Sequence, residues 1–430
     1  MFTKIHVSKS NFIWIKWTKI MICSLLLGFT ASLFALIFKH VTENYEHLLY
    51  NRALHAPALF FILPFIGLTV IYFLRLYVFK NRKNKGISEV LEAVYVKKKL
   101  PAFKIPSHFI NGFLTVIFGG ATGIEVSTVV STATMGELAS TKDTIFKKYK
   151  SEFIGGAIAA GVAVLFHSPL GGLFFSLENI VRHKKKTNEF FVIHLASILM
   201  SFGILFLFDE EPLFATSITN WNYSALPYLL LLAVTASVYA VFLTKTVILI
   251  KGKWLQSAKP FLQVTTGAAL LGIVLLFQNG LYGDGYHTIK SFLHMDNSLL
   301  LTYSLLSLGL LLVIKPIITA VTLSSGGDGG VFAPSIFAGA ILGLFIGILT
   351  KNYFNPDVYL LNFMIVGVAV TLSATLHAPL TAVFLVCGIF NSYILLLPLL
   401  LFTFISKYVS KKVYPYTVYT YSFRLQKQKD

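Results

Sequence analysis

Two glycine-rich stretches decide how this chain is read: Gly119-Gly120-Ala121-Thr122-Gly123-Ile124-Glu125-Val126-Ser127 and Gly326-Gly327-Asp328-Gly329-Gly330-Val331-Phe332-Ala333-Pro334. Each sets glycines directly ahead of a new apolar run, with Ser127 or Pro334 near its first turn. Proline is tolerated there because its missing N–H would have gone unpaired anyway. Both stretches therefore read as helices that begin inside apolar sequence instead of at its edge. Phe166-His167-Ser168-Pro169-Leu170 also returns as Leu376-His377-Ala378-Pro379-Leu380, in the same order and at nearly the same offset. Gly136 and Gly343 lie equally far behind the first pattern in each half. Three matches in register point to an internal duplication. Gly155, Gly156 and Gly343 read as small residues that allow close helix packing.

The surroundings are those of a membrane protein. Of 430 residues, 56% are hydrophobic and only 13% are charged, where a soluble domain carries roughly a quarter charged residues. Met21–Phe38, Pro57–Leu74, Phe190–Phe208 and Ala225–Thr244 are uncharged runs that meet the roughly 17–25 residues needed to span a bilayer. Between Asp357 and Lys407 there is no charge at all. At about 1.5 Å per residue that run could cross the membrane about twice, so it must be broken or folded back. The first run follows Lys16 and Lys19, exceeds a leader's apolar core and meets no small-residue cleavage site, so it reads as a span. Cys23 and Cys387 read as small buried hydrophobes, with no disulfide or metal framework.

The net charge of +18 is informative through its placement. Basic residues cluster in Lys4–Lys19, Arg75–Lys104, Arg182–Lys186, Lys245–Lys259 and after Lys407, and the positive-inside rule puts all of these on the cytoplasmic side. Asp209-Glu210-Glu211 then falls outside, one span after Arg182–Lys186. This agreement argues against nucleic acid as a partner. It also makes the second half, from near Ala225, cross the membrane in the opposite sense to the first. That is the inverted-repeat plan of secondary transporters, with repeats at about 20–215 and 225–407 and a basic cytoplasmic tail at about 408–430.

A helix that starts within the membrane exposes backbone N–H groups without partners, at its partially positive end. In hydrocarbon those donors must be satisfied. Where they line a cavity, a desolvated anion can do so, and two opposed starts would surround it with donors. Glu125 stands at one of them. An acid in the first turn of a helix is ordinary in a soluble protein, but within an apolar segment an ionisable group marks function. Its carboxylate is itself an anion and can occupy the place meant for the substrate. Protonation would free the site, making one group both gate and proton acceptor.

These residues resemble the CLC family of chloride channels and proton-coupled chloride transporters, over roughly Met21 to Arg424. Gly330-Val331-Phe332-Ala333-Pro334 matches the family's glycine-x-phenylalanine-x-proline motif. Gly123-Ile124-Glu125 resembles its glycine-x-glutamate-glycine-proline gate motif, with Val126 and Ser127 in the last two places. Gly86-Ile87-Ser88-Glu89 resembles the start of a third pore helix, the Pro169 and Pro379 segments resemble its alanine-proline-leucine helices, and Tyr419 resembles its pore tyrosine, a better register than Tyr421. The resemblance implies an all-α integral membrane fold of about eighteen tilted and broken helices, arranged as inverted repeats. It implies chloride and protons as transported partners, no cofactor or metal beyond bound chloride, and a homodimer in the cell membrane with both termini cytoplasmic. No nucleotide-binding module is expected after Tyr419. It gives Val331 and Phe332 amides to a central anion, and those around Glu125, with Gly123 and Ile124, to an outer one. It also sets Lys85 and Gly86 among the anion-binding positions.

Four departures bear on mechanism. Lys85 stands where the family has an anion-coordinating serine, and reads either as a snorkelling member of the basic loop or as a pore cation that pairs with Glu125. Asn179 follows Glu178 where proton-coupled members have two acids, so Glu178 and Asn179 mark the position of an internal proton path that lacks its second acid. Gly388 replaces an acid of the last conserved helix. Val126 and Ser127 alter the gate motif, with an expected effect on the outer site. The main expectation is Glu125-gated chloride/proton exchange, with a passive voltage- or pH-gated chloride channel as the alternative. Fluoride transport and an intramembrane enzyme built on His167 and His377 rank lower, because no acidic or cysteine partner recurs beside either histidine.

Overall fold

The computed structural model describes residues 9–427 apart from 83, 217–219 and 258. Lys4, at the head of the first basic cluster, and the last three residues lie outside them. The described residues are helical throughout, with no strand. Among the described residues seven helices are long and apolar enough to cross a membrane: Ile13–His55, Leu59–Val78, Asn188–Leu207, Tyr223–Gly252, Pro260–Phe277, Leu305–Ser324 and Phe332–Tyr353. The first is longer than its apolar run because no glycine or proline interrupts the chain between Gly28 and Pro57. The uncharged run before Lys407 is broken, as its length requires, into Leu360–Leu376, Pro379–Phe390 and Leu396–Val413. Large apolar side chains remain exposed on the outer helices, among them Phe206, Phe277 and Leu306, which is the surface a bilayer covers.

The duplication is visible in geometry. Gly136 packs against Ile154 and Gly343 against Met364; in both places a Cβ would come within 2.7 Å of the neighbour's Cα. Gly119 and Gly326 both have positive φ (85° and 102°), and His167 and His377 do too (51° and 56°), each closing a helix just before the repeated proline. The halves also clasp each other reciprocally. The Thr115 hydroxyl accepts the N–H of Asp328 (2.9 Å), and the Thr322 hydroxyl accepts the N–H of Ala121 (3.2 Å). Thr322 is the repeat partner of Thr115, and Asp328 that of Ala121, so the contact has the reciprocity of a two-fold axis.

The axis inverts the halves. Ser168, at the start of the Pro169–Phe175 helix, donates to the carbonyl of Phe384 (2.6 Å), and Gly388, near the end of the partner helix, packs on the carbonyl of His167. The two proline-led helices therefore run antiparallel, with the Phe174 and Phe384 rings stacked at 5.0 Å. Residue 408 falls inside a helix. The Leu396–Val413 helix continues through that point, and Val418–Lys427 carries Tyr419 back against Val331 and Ala320.

Candidate anion pathway

The two glycine-rich stretches meet head to head. Helices begin at Glu125 and at Phe332, and neither start is capped by the residue preceding it, Ile124 or Val331. Glu125 is 3% exposed. Its side chain folds back over Gly123, where a Cβ would lie 2.5 Å from Oε1 and 2.7 Å from the methyl of Ala333. One carboxylate oxygen accepts the Tyr286 hydroxyl at 2.6 Å; the other is buried without a hydrogen-bond partner. The carboxylate also lies against the backbone amides of Glu125 and Ala333. It therefore occupies the volume between the two helix starts, where a free anion would find the same donors.

A cavity opens on each side of this plug. The larger, about 410 Å³, runs in from the basic side, past Arg75, Lys85 and Lys251 to Gly86, Gly330, Val126 and Tyr419. The Tyr419 hydroxyl has no hydrogen-bond partner among the described residues and faces Gly330 and the backbone of Val331, whereas Tyr421 meets the Tyr416 ring edge-on and does not line the cavity. Arg75 is clamped across the turn at Gly326 by a 2.8 Å bond to its carbonyl, which leaves a buried Nε unpaired. The smaller cavity, about 20 Å³, lies beyond Glu125 and is bordered by Ile124, Phe166, Glu46, Asp284 and Tyr286. The Phe332 ring is stacked on Phe166 at 5.1 Å, so its side chain closes the far wall while its backbone stays at the helix start.

Polar bridges fix these walls. Asp328 binds the Asn84 amide (2.7 Å) and His108 (2.9 Å), and His108 also meets Glu89 (2.9 Å), which holds Lys104 (2.6 Å). This chain ties the loop ahead of Gly330 to the short Ile87–Leu91 helix, where Gly86 turns the chain with φ 67°. Lys85 lines the large cavity, but its ammonium lies 3.7 Å from Glu92 and not beside Glu125, and its side chain is half exposed. The pairing with Glu125 is therefore not made, because Glu92 is the nearer acid. Val126 borders the large cavity, with its methyls against Gly86 and Gly330.

Glu178 and Asn179 sit apart from this pathway. The Glu178 carboxylate accepts the N–H and the hydroxyl of Thr381, both at 2.8 Å, and so caps the Pro379–Phe390 helix of the other half. The Asn179 amide donates to the carbonyl of Phe175 (3.3 Å). Among the described residues no three His, Cys, Asp or Glu side chains gather to hold a metal.

Sequence reasoning missed Glu46, Asp284, Tyr286 and Lys315. Lys315 carried a usable signal, since a lysine within an apolar span marks function; it is fully buried in the Leu305–Ser324 helix. Asp284 lies in a turn and Tyr286 at the first position of the short Tyr286–Leu293 helix, and only the fold brings them to Glu125.

Known proteins bear on this arrangement. Residues 66–411 match the family model described as voltage gated chloride channel. A protein of Salmonella typhimurium, named voltage-gated ClC-type chloride channel ClcB, is 26% identical over 71% of this chain and 72% of its own length. An uncharacterised protein of Methanocaldococcus jannaschii is 27% identical over 88% of this chain and 89% of its own. In fold, the chain superposes on a slow cyanobacterial Cl⁻/H⁺ antiporter with TM-score 0.82 at 19% identity, covering 95% and 98% of the two chains. A CLC-type fluoride/proton antiporter gives TM-score 0.78 at 22% identity, with 96% and 98% covered.

Proposed function

The chain belongs to the voltage gated chloride channel family of multi-pass membrane proteins, and on that premise we propose that it moves chloride past Glu125, whose protonation opens the path, in exchange for protons. The observation that carries this reading is the Glu125 carboxylate lodged between two uncapped helix starts, with a cavity on either side. Anions enter the wide cavity from the cytoplasm, drawn by the field of Arg75, Lys85 and Lys251. They reach the Tyr419 hydroxyl and the Val331 and Phe332 amides at its inner end. Ionised Glu125 fills the next position and excludes them. Once neutral, it loses its claim on the donors, and chloride takes its place. Dipolar donors without a full charge hold the ion firmly enough to enter and loosely enough to leave. The reading includes a homodimer in the cell membrane, one pathway per subunit, with both termini cytoplasmic.

A passive channel is the competing reading, favoured by Glu178, which is engaged as a helix cap and has an asparagine beside it. Liposomes loaded with chloride, with anion and proton movement recorded together, separate the two. Exchange drives protons uphill along with the chloride flux; chloride flux without uphill proton movement overturns exchange. Replacing external chloride by fluoride in the same vesicles tests anion preference.

A further inference from the structure

A second ionisable cluster, which the gate mechanism above does not use, lies on the far side of Glu125. Lys315 is fully buried, and its ammonium is held by the carbonyls of Leu281 (3.5 Å), Gly283 (3.2 Å) and Asp284 (3.0 Å), above the Phe337 ring. No carboxylate is hydrogen-bonded to it. Glu46, Asp284 and Glu125 all lie within its electrostatic reach, and all three are less than 10% exposed. One buried ammonium can balance one buried carboxylate. Ionising all three acids would leave uncompensated charge in an apolar surrounding, which is strongly unfavourable.

The acids are joined to the gate. Glu46 accepts the N–H of Asp284 (3.3 Å) and rests over Gly283, whose positive φ and missing Cβ make room for the carboxylate. Asp284 accepts the N–H of Tyr286 (2.7 Å), and the Tyr286 hydroxyl donates to Glu125. Glu46, Asp284, Tyr286 and Glu125 share the walls of the 20 Å³ cavity, which has room for about one water molecule and the polar partners a water needs. The unpartnered oxygen of Glu125 belongs to the same cluster. Other charges facing the cluster are accounted for. Lys39 is paired with Glu210 at 2.9 Å, Glu43 stands at the half-exposed rim, and His287 packs tilted against the Tyr50 ring.

We propose that Glu46 and Asp284 form an outer proton-holding site, counterbalanced by Lys315, through which Glu125 exchanges protons with the outer solution across a single water. In the step, an O–H bond of the protonated acid breaks, its proton passes through the water, and an O–H bond forms on the Glu125 carboxylate. The donor is left as a carboxylate near the Lys315 ammonium and is reprotonated from the outer solution by way of the Glu43 rim. The ordinary structural role is the alternative: Asp284 as a cap for the Tyr286 helix and Glu46 as a strut on the Gly283 turn. Amide replacements keep the shape of both and remove only the proton.

This inference rests on Glu125 as the protonatable gate, and the test separates the two. Anion and proton flux are measured in liposomes against external pH for the natural protein, Glu125→Gln, Glu46→Gln and Asp284→Asn. The expected result is that Glu46→Gln and Asp284→Asn slow proton movement about tenfold more than they slow chloride and displace the external-pH profile by about one unit or more, while Glu125→Gln flattens it. If Glu125→Gln is flat but the other two keep the natural profile and proton rate, the outer site is overturned and the gate stands. If Glu125→Gln keeps the pH profile, the gate fails first. Infrared spectra of the purified variants add a readout independent of transport. A protonated-carboxyl band at neutral pH should persist in Glu125→Gln and weaken in Glu46→Gln or Asp284→Asn; an unchanged band in both overturns the site.

Discussion

Two pairs of helices begin inside this protein, and the pairs are treated oppositely. The helices led by Pro169 and Pro379 are capped: Ser168 accepts the N–H of Gly171 (3.1 Å), and Glu178 reaches across from the other half to Thr381. The helices beginning at Glu125 and Phe332 have no such cap from their preceding residues; their amides face each other, and only the Glu125 carboxylate stands between them. Every helix start leaves donors that need a partner. A permanent side-chain cap makes a start structural. On the proposed function, a start whose partner a proton can withdraw is a place for a transported anion. The same repeat has thus been used twice, once to lock the halves together and once to leave a vacancy that Glu125 fills.

The largest effect that could break this comparison is at Glu125. Glu125→Gln is expected to abolish the pH dependence of chloride flux and all coupled proton movement; in the natural protein, flux should rise as the outer side is acidified. Next is Val126, wedged between Gly86 and Gly330 at the end of the inner cavity. Val126→Gly should raise chloride flux about tenfold, equivalent to about 1.4 kcal/mol off the barrier, and a rate unchanged or lowered in folded protein would show that the constriction lies elsewhere.

At the capped pair the effect should move from transport to stability. Glu178→Ala is expected to cost about 1–2 kcal/mol, because it strips the N–H and hydroxyl of Thr381 of their acceptor. The external-pH profile should keep its shape, and a changed profile would return Glu178 to the proton path. Ser168→Ala should cost about 1 kcal/mol, read as a lower denaturation midpoint in detergent.

Much of this was legible in the sequence because it depends on local rules. Paired glycines, a proline one turn in and an acid inside an apolar run specify where a helix starts and that the start is unusual. The repeat supplied the second start. What was not legible depended on residues distant in sequence meeting in space. That Glu178 reaches Thr381 of the other half could not be read from either segment alone. Gly86 and Gly330 are brought around the Val126 methyls only by the fold. Glu46 and Asp284 are joined only by a turn that Gly283 permits. Lys85 shows the limit from the other side, since its place at the cavity was readable while the choice of Glu92 over Glu125 was not.

The central claim is that the Glu125 carboxylate sits where an anion can sit. The most direct measurement is a crystal structure of Glu125→Gln grown in bromide, read by anomalous scattering beside the natural protein at neutral pH. A bromide peak is expected between the amides at Glu125 and Ala333 in the variant and none there in the natural protein. A variant with bromide at Tyr419 but none between the two helix starts would contradict it.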